Sequence, residues 1–215
     1  MKKKMKQAIK VSNPLISHYV GELRDINTDK NAFANAIENI VYLMSSQITS
    51  NIECGTKKVS TPLADTEVAY FFDKVLIIPI LRAGMAMFEP MKRILPHAAY
   101  GYIGIQRVEK DGQLVADMYY CNLPSNLQDY KVYILEIVVA TAVTVKHTVD
   151  YLLEQGVKCE NISLVSIISS KYGVEELGGK YPQLNMITCE IDETLTDKGY
   201  IVPGLGDAGD RYNGY

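Results

Sequence analysis

Several things are scarce in this 215-residue chain, and each scarcity closes off a class of protein. No apolar run exceeds about eight residues, the longest lying around Val75 to Leu81 and Ile134 to Val139. A membrane-crossing helix needs roughly 20, so no membrane partner is expected. The basic start, Met1 to Lys10, is followed by no apolar segment and does not read as a secretory signal. Cys54, Cys121, Cys159 and Cys189 stand 30 or more residues apart with no C-x-x-C pair. That excludes zinc-ribbon and dithiol redox motifs and predicts reduced, mostly buried thiols in a cytoplasmic protein. His18, His97 and His147 are scattered, and no metal set is read from them. Internal repeats and low-complexity linkers are missing as well.

What is present describes a globular chain. It is 47% hydrophobic and 22% charged, which separates it from disordered sequences. A chain of this size buries roughly 70% of its unfolded surface and needs no disulfide or metal staple. Net charge is −3, unevenly spread: the first ten residues hold five lysines and no acid, leaving 17 bases against 25 acids in the rest. The lysine run reads as a solvated terminus, and an acidic body predicts no nucleic-acid partner.

The first third reads as helical. Asn13 can cap a helix that starts at Pro14, with Leu15, Tyr19, Val20 and Leu23 on one face. Phe33, Ile37, Ile40, Val41 and Met44 recur at helical spacing in a second. Val59 to Leu63 reads as a short extended piece. From Val75 the pattern changes to apolar strands alternating with helices: strands at Val75 to Ile80, Lys131 to Val139, Ile162 to Ile168 and Met186 to Ile191. Between them fall a helix carrying Met87, Phe88, Met91 and Leu95, one carrying Val145, Val149, Leu152 and Leu153 that stops at Gly156, and a short one near Gly173 to Gly179. Strands apolar on both faces with helical crossovers predict an α/β fold whose sheet is mainly parallel and flanked by helices. Tyr100 to Gln106 and Leu114 to Tyr120 flank Asp111-Gly112, a turn signal for an antiparallel flap.

In such a sheet, ligands bind beyond the carboxyl ends of the strands, and three segments fall there. Pro79-Ile80-Leu81-Arg82-Ala83-Gly84 turns a strand into a helix with small residues beside an arginine, and it reads either as an anion site or as an ordinary strand–helix turn with a solvated arginine. Glu136-Ile137-Val138-Val139-Ala140-Thr141-Ala142-Val143-Thr144 places an acid at a strand end and two hydroxyls at a helix start. It reads either as a phosphate cradle or as a plain helix N-cap by Thr141 or Thr144. Gly199 to Arg211 holds four glycines and a proline, an irregular backbone able to present main-chain donors and acceptors to a flat heterocycle.

Together these segments resemble the uracil phosphoribosyltransferase family. YIVPGLGDAGDR at Tyr200 to Arg211 is similar to a family signature, and PILRAG at Pro79 to Gly84 is a second hallmark. Weaker similarity covers most of the chain, including Asn13 to Asp25 and the flap residues Tyr119, Tyr120, Leu123 and Pro124. The resemblance implies one type I phosphoribosyltransferase domain over 1–215, with N-terminal helices at 12–50, a flap at about 99–122 and a C-terminal hood whose uracil-reading loop spans about 199–211. It implies transfer of the phosphoribosyl group of phosphoribosyl pyrophosphate (PRPP) to N1 of uracil, giving UMP and pyrophosphate in pyrimidine salvage. Arg82 and Arg107 would bind the pyrophosphate. Glu136, Ile137, Val138, Val139, Ala140, Thr141, Ala142, Val143 and Thr144 would hold the ribose hydroxyls and 5′-phosphate. Asp207 would contact PRPP or the water of a Mg²⁺ ion that PRPP carries, while Ile201, Gly206, Asp207 and Ala208 would line uracil. Relatives are usually dimers or larger, so a homodimer or higher homo-oligomer is expected.

The resemblance has gaps. The family's PRPP loop usually reads D-P-M-L-A-T-G-G-S, where this chain has E-I-V-V-A-T-A-V-T. Ala142 and Val143 replace two glycines, and a β-branched residue such as Val143 resists positive φ. Val108 and Asn122 stand where an Asp and a Lys are usual. The alternative expectation is therefore a catalytically impaired homologue that binds uracil or a uridine nucleotide as a sensor or regulatory subunit.

Overall fold

The computed structural model describes residues 8–110 and 113–215, without the side chains of residues 107, 109, 110, 113 and 114. The Asp111-Gly112 turn and all but the end of the basic start lie outside the described residues. In chain order the elements are β1 (Ile9–Lys10), α1 (Pro14–Arg24), α2 (Lys30–Ile48), β2 (Cys54–Ser60), β3 (Asp65–Phe71), β4 (Lys74–Leu81), α3 (Phe88–Ile94), β5 (Ala99–Tyr100), β6 (Tyr102–Lys110), β7 (Gln113–Asn122), β8 (Tyr130–Leu135), β9 (Val138–Val139), α4 (Val143–Glu154), β10 (Ile162–Val165), β11 (Ile168–Ser170), α5 (Lys171–Lys180), β12 (Asn185–Thr188), β13 (Glu190–Asp192), β14 (Thr194–Leu195), β15 (Ile201–Val202) and α6 (Ala208–Asn213).

The main sheet runs β1-β12-β10-β8-β4-β6-β7, with β5 also on β4. Its pairings are parallel except β6 with β7, the antiparallel flap. Side chains alternate across it. Val75, Ile77, Tyr133 and Leu135 pack with α1, α2 and α3 on one face, while Leu76, Ile78, Val132 and Ile134 pack with α4 and α5 on the other. Burying each Ile, Leu or Val contributes about 1.5–3 kcal/mol, so both layers hold the sheet. Tyr133 donates its buried hydroxyl to the Ile48 carbonyl at 3.0 Å, which satisfies the end of α2 against the sheet.

Three strands that the sequence pattern joins are broken in the structure. After Leu135, Val165 and Thr188 the chain shifts and starts again as β9, β11 and β13, a second small parallel sheet ordered β13-β11-β9. The Glu136 and Ser166 amides donate to the Val165 and Ile187 carbonyls, and those of Ile167 and Cys189 to Ile137 and Ile167. Because apolar residues run straight through these steps, hydropathy does not mark them.

Three further expectations are corrected. Val59 to Leu63 belongs to a longer hairpin of β2 with β3, in register from Cys54 opposite Phe71 to Ser60 opposite Asp65. Both strands are mostly exposed, so they carry no alternation to read. The inner face of α1 is Ile16, Val20 and Leu23, whereas Leu15 is 54% exposed. Of the free cysteines only Cys189 is buried: Cys54 and Cys121 are exposed and Cys159 is half-buried. Cys54 opens the exposed hairpin and Cys121 lies on an edge strand, whereas burial pushes the Cys189 thiol up to about 12.

Candidate functional site

Neighbouring strands β4 and β8 send their following helices to opposite faces, which opens a crevice at their carboxyl ends. The turn after β4 lies directly over the end of β8. A β-carbon on Gly84 would come 2.3 Å from the Leu135 carbonyl oxygen, so this approach requires glycine. It brings Ala83 to the crevice. The Arg82 side chain turns away instead. Its Nη1 bonds the Tyr215 hydroxyl, its Nη2 lies 3.5 Å from Asp210 Oδ1, and its guanidinium sits 5.3 Å from the Tyr215 ring centre.

After β8 the chain forms the second wall. Glu136 is 8% exposed at the strand end, and residues 138–144 curl above it into the start of α4. Ser170 Oγ donates to the Ala140 carbonyl at 2.5 Å and accepts from the Gly173 amide at 2.8 Å, holding the curl from behind. A β-carbon on Gly173 would lie 2.6 Å from that carbonyl. The helix cap is Ala142, and neither Thr141 nor Thr144 serves as one. Side chains of Asn13, Asp29, Ser170 and Asp207 cap α1, α2, α5 and α6, whereas α4, like the short α3, has no side-chain cap. Its first N–H groups, at the positive end of a 12-residue helix, therefore suit an anion. Positive φ falls on Ala142, at 60°, while Val143 is the first helical residue. The expected conflict at Val143 is thus displaced by one residue onto a side chain that bears it more easily.

The third wall is the segment after β14. It turns through β15, a cis Val202–Pro203 peptide and Gly204 and Gly206, both at positive φ, before α6. Asp207 heads α6, with Oδ1 accepting from the Asp210 amide at 3.0 Å. The turn is fixed from outside the crevice. Arg24 forms two 2.8 Å bonds with the Asp192 carboxylate and donates a third, also 2.8 Å, to the Gly204 carbonyl. Asp192 in turn accepts from the Gly204 amide at 3.0 Å. Burial alone would push the Asp192 carboxyl up. Hydrogen bonds from Arg24 and the Gly204 amide outweigh it and hold the group below its ordinary value. Arg211 donates to the carbonyls of Leu23, Leu205 and Asp25, with its guanidinium 4.5 Å from the Phe33 ring centre.

One crevice therefore collects Glu136, Val138, Val139, Ala140, Thr141, Ala142, Val143, Thr144, Ile201, Gly206, Asp207 and Ala208. Ile137 is the exception in its segment, being fully buried in the core beneath. Arg82 is outside the lining, and Arg107 lies on β6 with its side chain outside the described residues. Tyr200, Leu205 and Gly209 also line the crevice and sit within the tail segment already singled out. Arg24 and Asp192 escaped the sequence reading. They are 168 positions apart, and no local pattern pairs them.

The profile of the uracil phosphoribosyltransferase family matches residues 10–214. The uracil phosphoribosyltransferase of Campylobacter concisus is 39% identical over 201 residues, covering 94% of this chain and 95% of that protein. That of Finegoldia magna is 37% identical over 203 residues, with 94% and 95% covered. A solved structure from Aquifex aeolicus superposes with a TM-score of 0.87 at 29% identity, covering 95% of this chain and 97% of its own. A hypoxanthine phosphoribosyltransferase from Staphylococcus aureus, at 14% identity, TM-score 0.51 and coverage of 75% and 76%, shares the fold. With its three-walled crevice and a match over nearly its full length, the chain belongs to the uracil phosphoribosyltransferase family.

Proposed function

We propose that this protein transfers the phosphoribosyl group of PRPP to N1 of uracil, releasing pyrophosphate and forming UMP. The observation that carries the reading is the single crevice between the uncapped start of α4 and the glycine-rich hood turn. The first suits a phosphate, and the second suits a flat base. The 5′-phosphate would take the amides and hydroxyls of residues 140–144. Glu136 would accept from the ribose hydroxyls.

Uracil presents acceptor, donor and acceptor along O2, N3–H and O4. Backbone groups of Ile201, Gly206 and Ala208, which line the crevice, would read that edge from a rigid turn. Cytosine replaces the O4 acceptor with an amino donor and would leave buried donors facing each other, a mismatch worth ~10⁴-fold. At the anomeric carbon the bond to pyrophosphate breaks as N1 attacks, through a state with oxocarbenium character. Arg82 and Arg107 would offset the charge growing on the leaving group. For Arg82 this means exchanging Asp210 and Tyr215 for pyrophosphate.

Asp207 supplies a hard oxygen donor at the crevice, the donor type that would meet, through water, a Mg²⁺ ion whose shell substrate phosphates complete. Bound with PRPP, the ion would neutralise pyrophosphate as it departs. Ala142 already holds the left-handed backbone that the family's glycine would supply, which supports an intact cradle over the sensor reading. We assign the protein to the cytoplasm as a single-domain enzyme. Exposed Tyr100, Tyr119 and Tyr120 support a homodimer or larger assembly. Among the described residues no helix is long and apolar enough to cross a membrane. The test is Mg²⁺-dependent formation of UMP from labelled uracil and PRPP, with Arg82→Ala as blank. Turnover within the usual ~1–10³ s⁻¹ supports the reading, and no UMP above the blank overturns it.

A further inference from the structure

We propose that Arg24 and Asp192 are positioning residues for base recognition: touching no substrate, they fix the hood turn through Gly204 and thereby set the affinity for uracil. The inference rests on the function proposed above. Both backbone polar groups of Gly204 are taken by this one ion pair, its carbonyl by Arg24 and its amide by Asp192. Gly204 is folded tightly onto the base-reading segment, since a β-carbon there would lie 2.3 Å from the Ile201 carbonyl oxygen. Fixing Gly204 therefore fixes Ile201 on one side and the Leu205–Gly206 step on the other.

The pair is not needed to finish its own elements. α1 is already closed by the Asp25 amide donating to the Gly21 carbonyl at 3.1 Å. Arg211 adds a second tie between the same helix end and the same turn, joining the Leu23 and Asp25 carbonyls to that of Leu205. The end of α1 thus acts as an anvil for the hood. The Asp192 carboxylate is 8% exposed, so water competes little for these bonds. The phosphate wall is held by different bonds, Ser170 and Gly173 against Ala140, although the Ser170 backbone is the register partner of Asp192 across β11 and β13. Loosening the hood through these two side chains leaves the 5′-phosphate cradle in place. Of the proposed PRPP contacts only Asp207 lies in the hood, so uracil binding should weaken far more than PRPP binding, and that difference is the mark of positioning as opposed to general stability.

The experiment is steady-state kinetics of Arg24→Ala, Arg24→Lys and Asp192→Asn, beside calorimetric binding of uracil and of PRPP. Lysine keeps the charge but lacks the planar fork, so it serves as the milder variant if alanine fails to fold. The expected result is a rise of about tenfold or more in KM for uracil, the scale set by hydrogen bonds to charged groups, with KM for PRPP within about twofold of wild type. Discrimination against cytosine falls in parallel, and added guanidinium ion at low millimolar concentration restores part of the uracil affinity of Arg24→Ala. A folded variant with unchanged KM for uracil overturns the proposal, as does an equal rise in both KM values. The wild-type control separates the two readings: absence of UMP from the parent enzyme refutes the function itself, whereas an active parent with indifferent variants refutes only the positioning role.

Discussion

Gly84 and Leu135 meet backbone to backbone where the turn after β4 crosses the end of β8, leaving 2.3 Å between the carbonyl oxygen and any β-carbon placed on Gly84. Neither partner is a flexible side chain that could swing aside. Gly84→Ala must therefore push the turn off the strand, carrying Ala83 and Arg82 with it. Overpacking of this kind costs about 1–3 kcal/mol. We expect a thermal midpoint lowered by several degrees and UMP formation reduced more than tenfold. Gly179→Ala is the control, because that glycine lies in α5 with nothing within 4 Å of the added carbon. It should gain up to about 1 kcal/mol from helix propensity. Equal midpoints for the two variants would refute the account.

The Ala142 backbone makes a second prediction whose sign depends on location. A left-handed residue other than glycine costs about 1–2 kcal/mol, and removing the buried Ala142 methyl loses about 0.8 kcal/mol. Ala142→Gly should therefore stabilise by up to about 1 kcal/mol. Val143 begins α4, so Val143→Gly relieves nothing there and adds backbone entropy to a helix, with a loss of about 0.5 kcal/mol. Urea midpoints of the two variants should move in opposite directions. Movement of both upward would mean that Val143 also shares the strain.

The crevice was largely legible in the sequence because each wall is one contiguous segment with its own chemistry. PILRAG, the Glu136 to Thr144 stretch and the glycine-rich tail each carry small residues where backbone must approach backbone. What was illegible arises from contacts between distant segments. Arg24 looks like an ordinary helix-end arginine until Asp192 and Gly204 are beside it. The steps from β8 to β9 and from β10 to β11 are hidden because Ile137 and Ile167 keep the runs apolar while the chain changes sheets. Leu15 and Ile16 point about 100° apart, and each starts an apolar line that ends at Leu23, one through Tyr19 and one through Val20; only packing decides that Ile16 faces inward.

Arg82 is held by Tyr215 and Asp210, and a pyrophosphate bound there as proposed would displace both. An exposed cation–π contact is worth about 0.5–1 kcal/mol, and an exposed ion pair adds little. Tyr215→Ala should then lower KM for PRPP by about two- to fivefold, since 1.4 kcal/mol corresponds to tenfold. KM for uracil should stay constant. A raised KM for PRPP would show instead that Tyr215 helps to hold the substrate, and an unchanged one that Arg82 does not meet pyrophosphate at all.

Acid should release the hood before it melts the core. The Asp192 carboxyl is held below its ordinary value by Arg24 and the Gly204 amide against the opposing effect of burial, with Lys10 adding a smaller push in the same direction. Glu190, which also acts on Arg24, is itself paired with Lys10 at 2.7 Å. A carboxylate with a depressed folded pKa contributes stability that is complete above its unfolded value, about 3.9, and that disappears as pH falls through the folded value. The stability gap between wild type and Asp192→Asn should therefore be constant from about pH 7 to pH 5 and shrink below about pH 4. Urea unfolding at four pH values measures it. A gap that stays constant down to about pH 3 would place the Asp192 proton elsewhere and remove the ion pair as the bond that holds the turn.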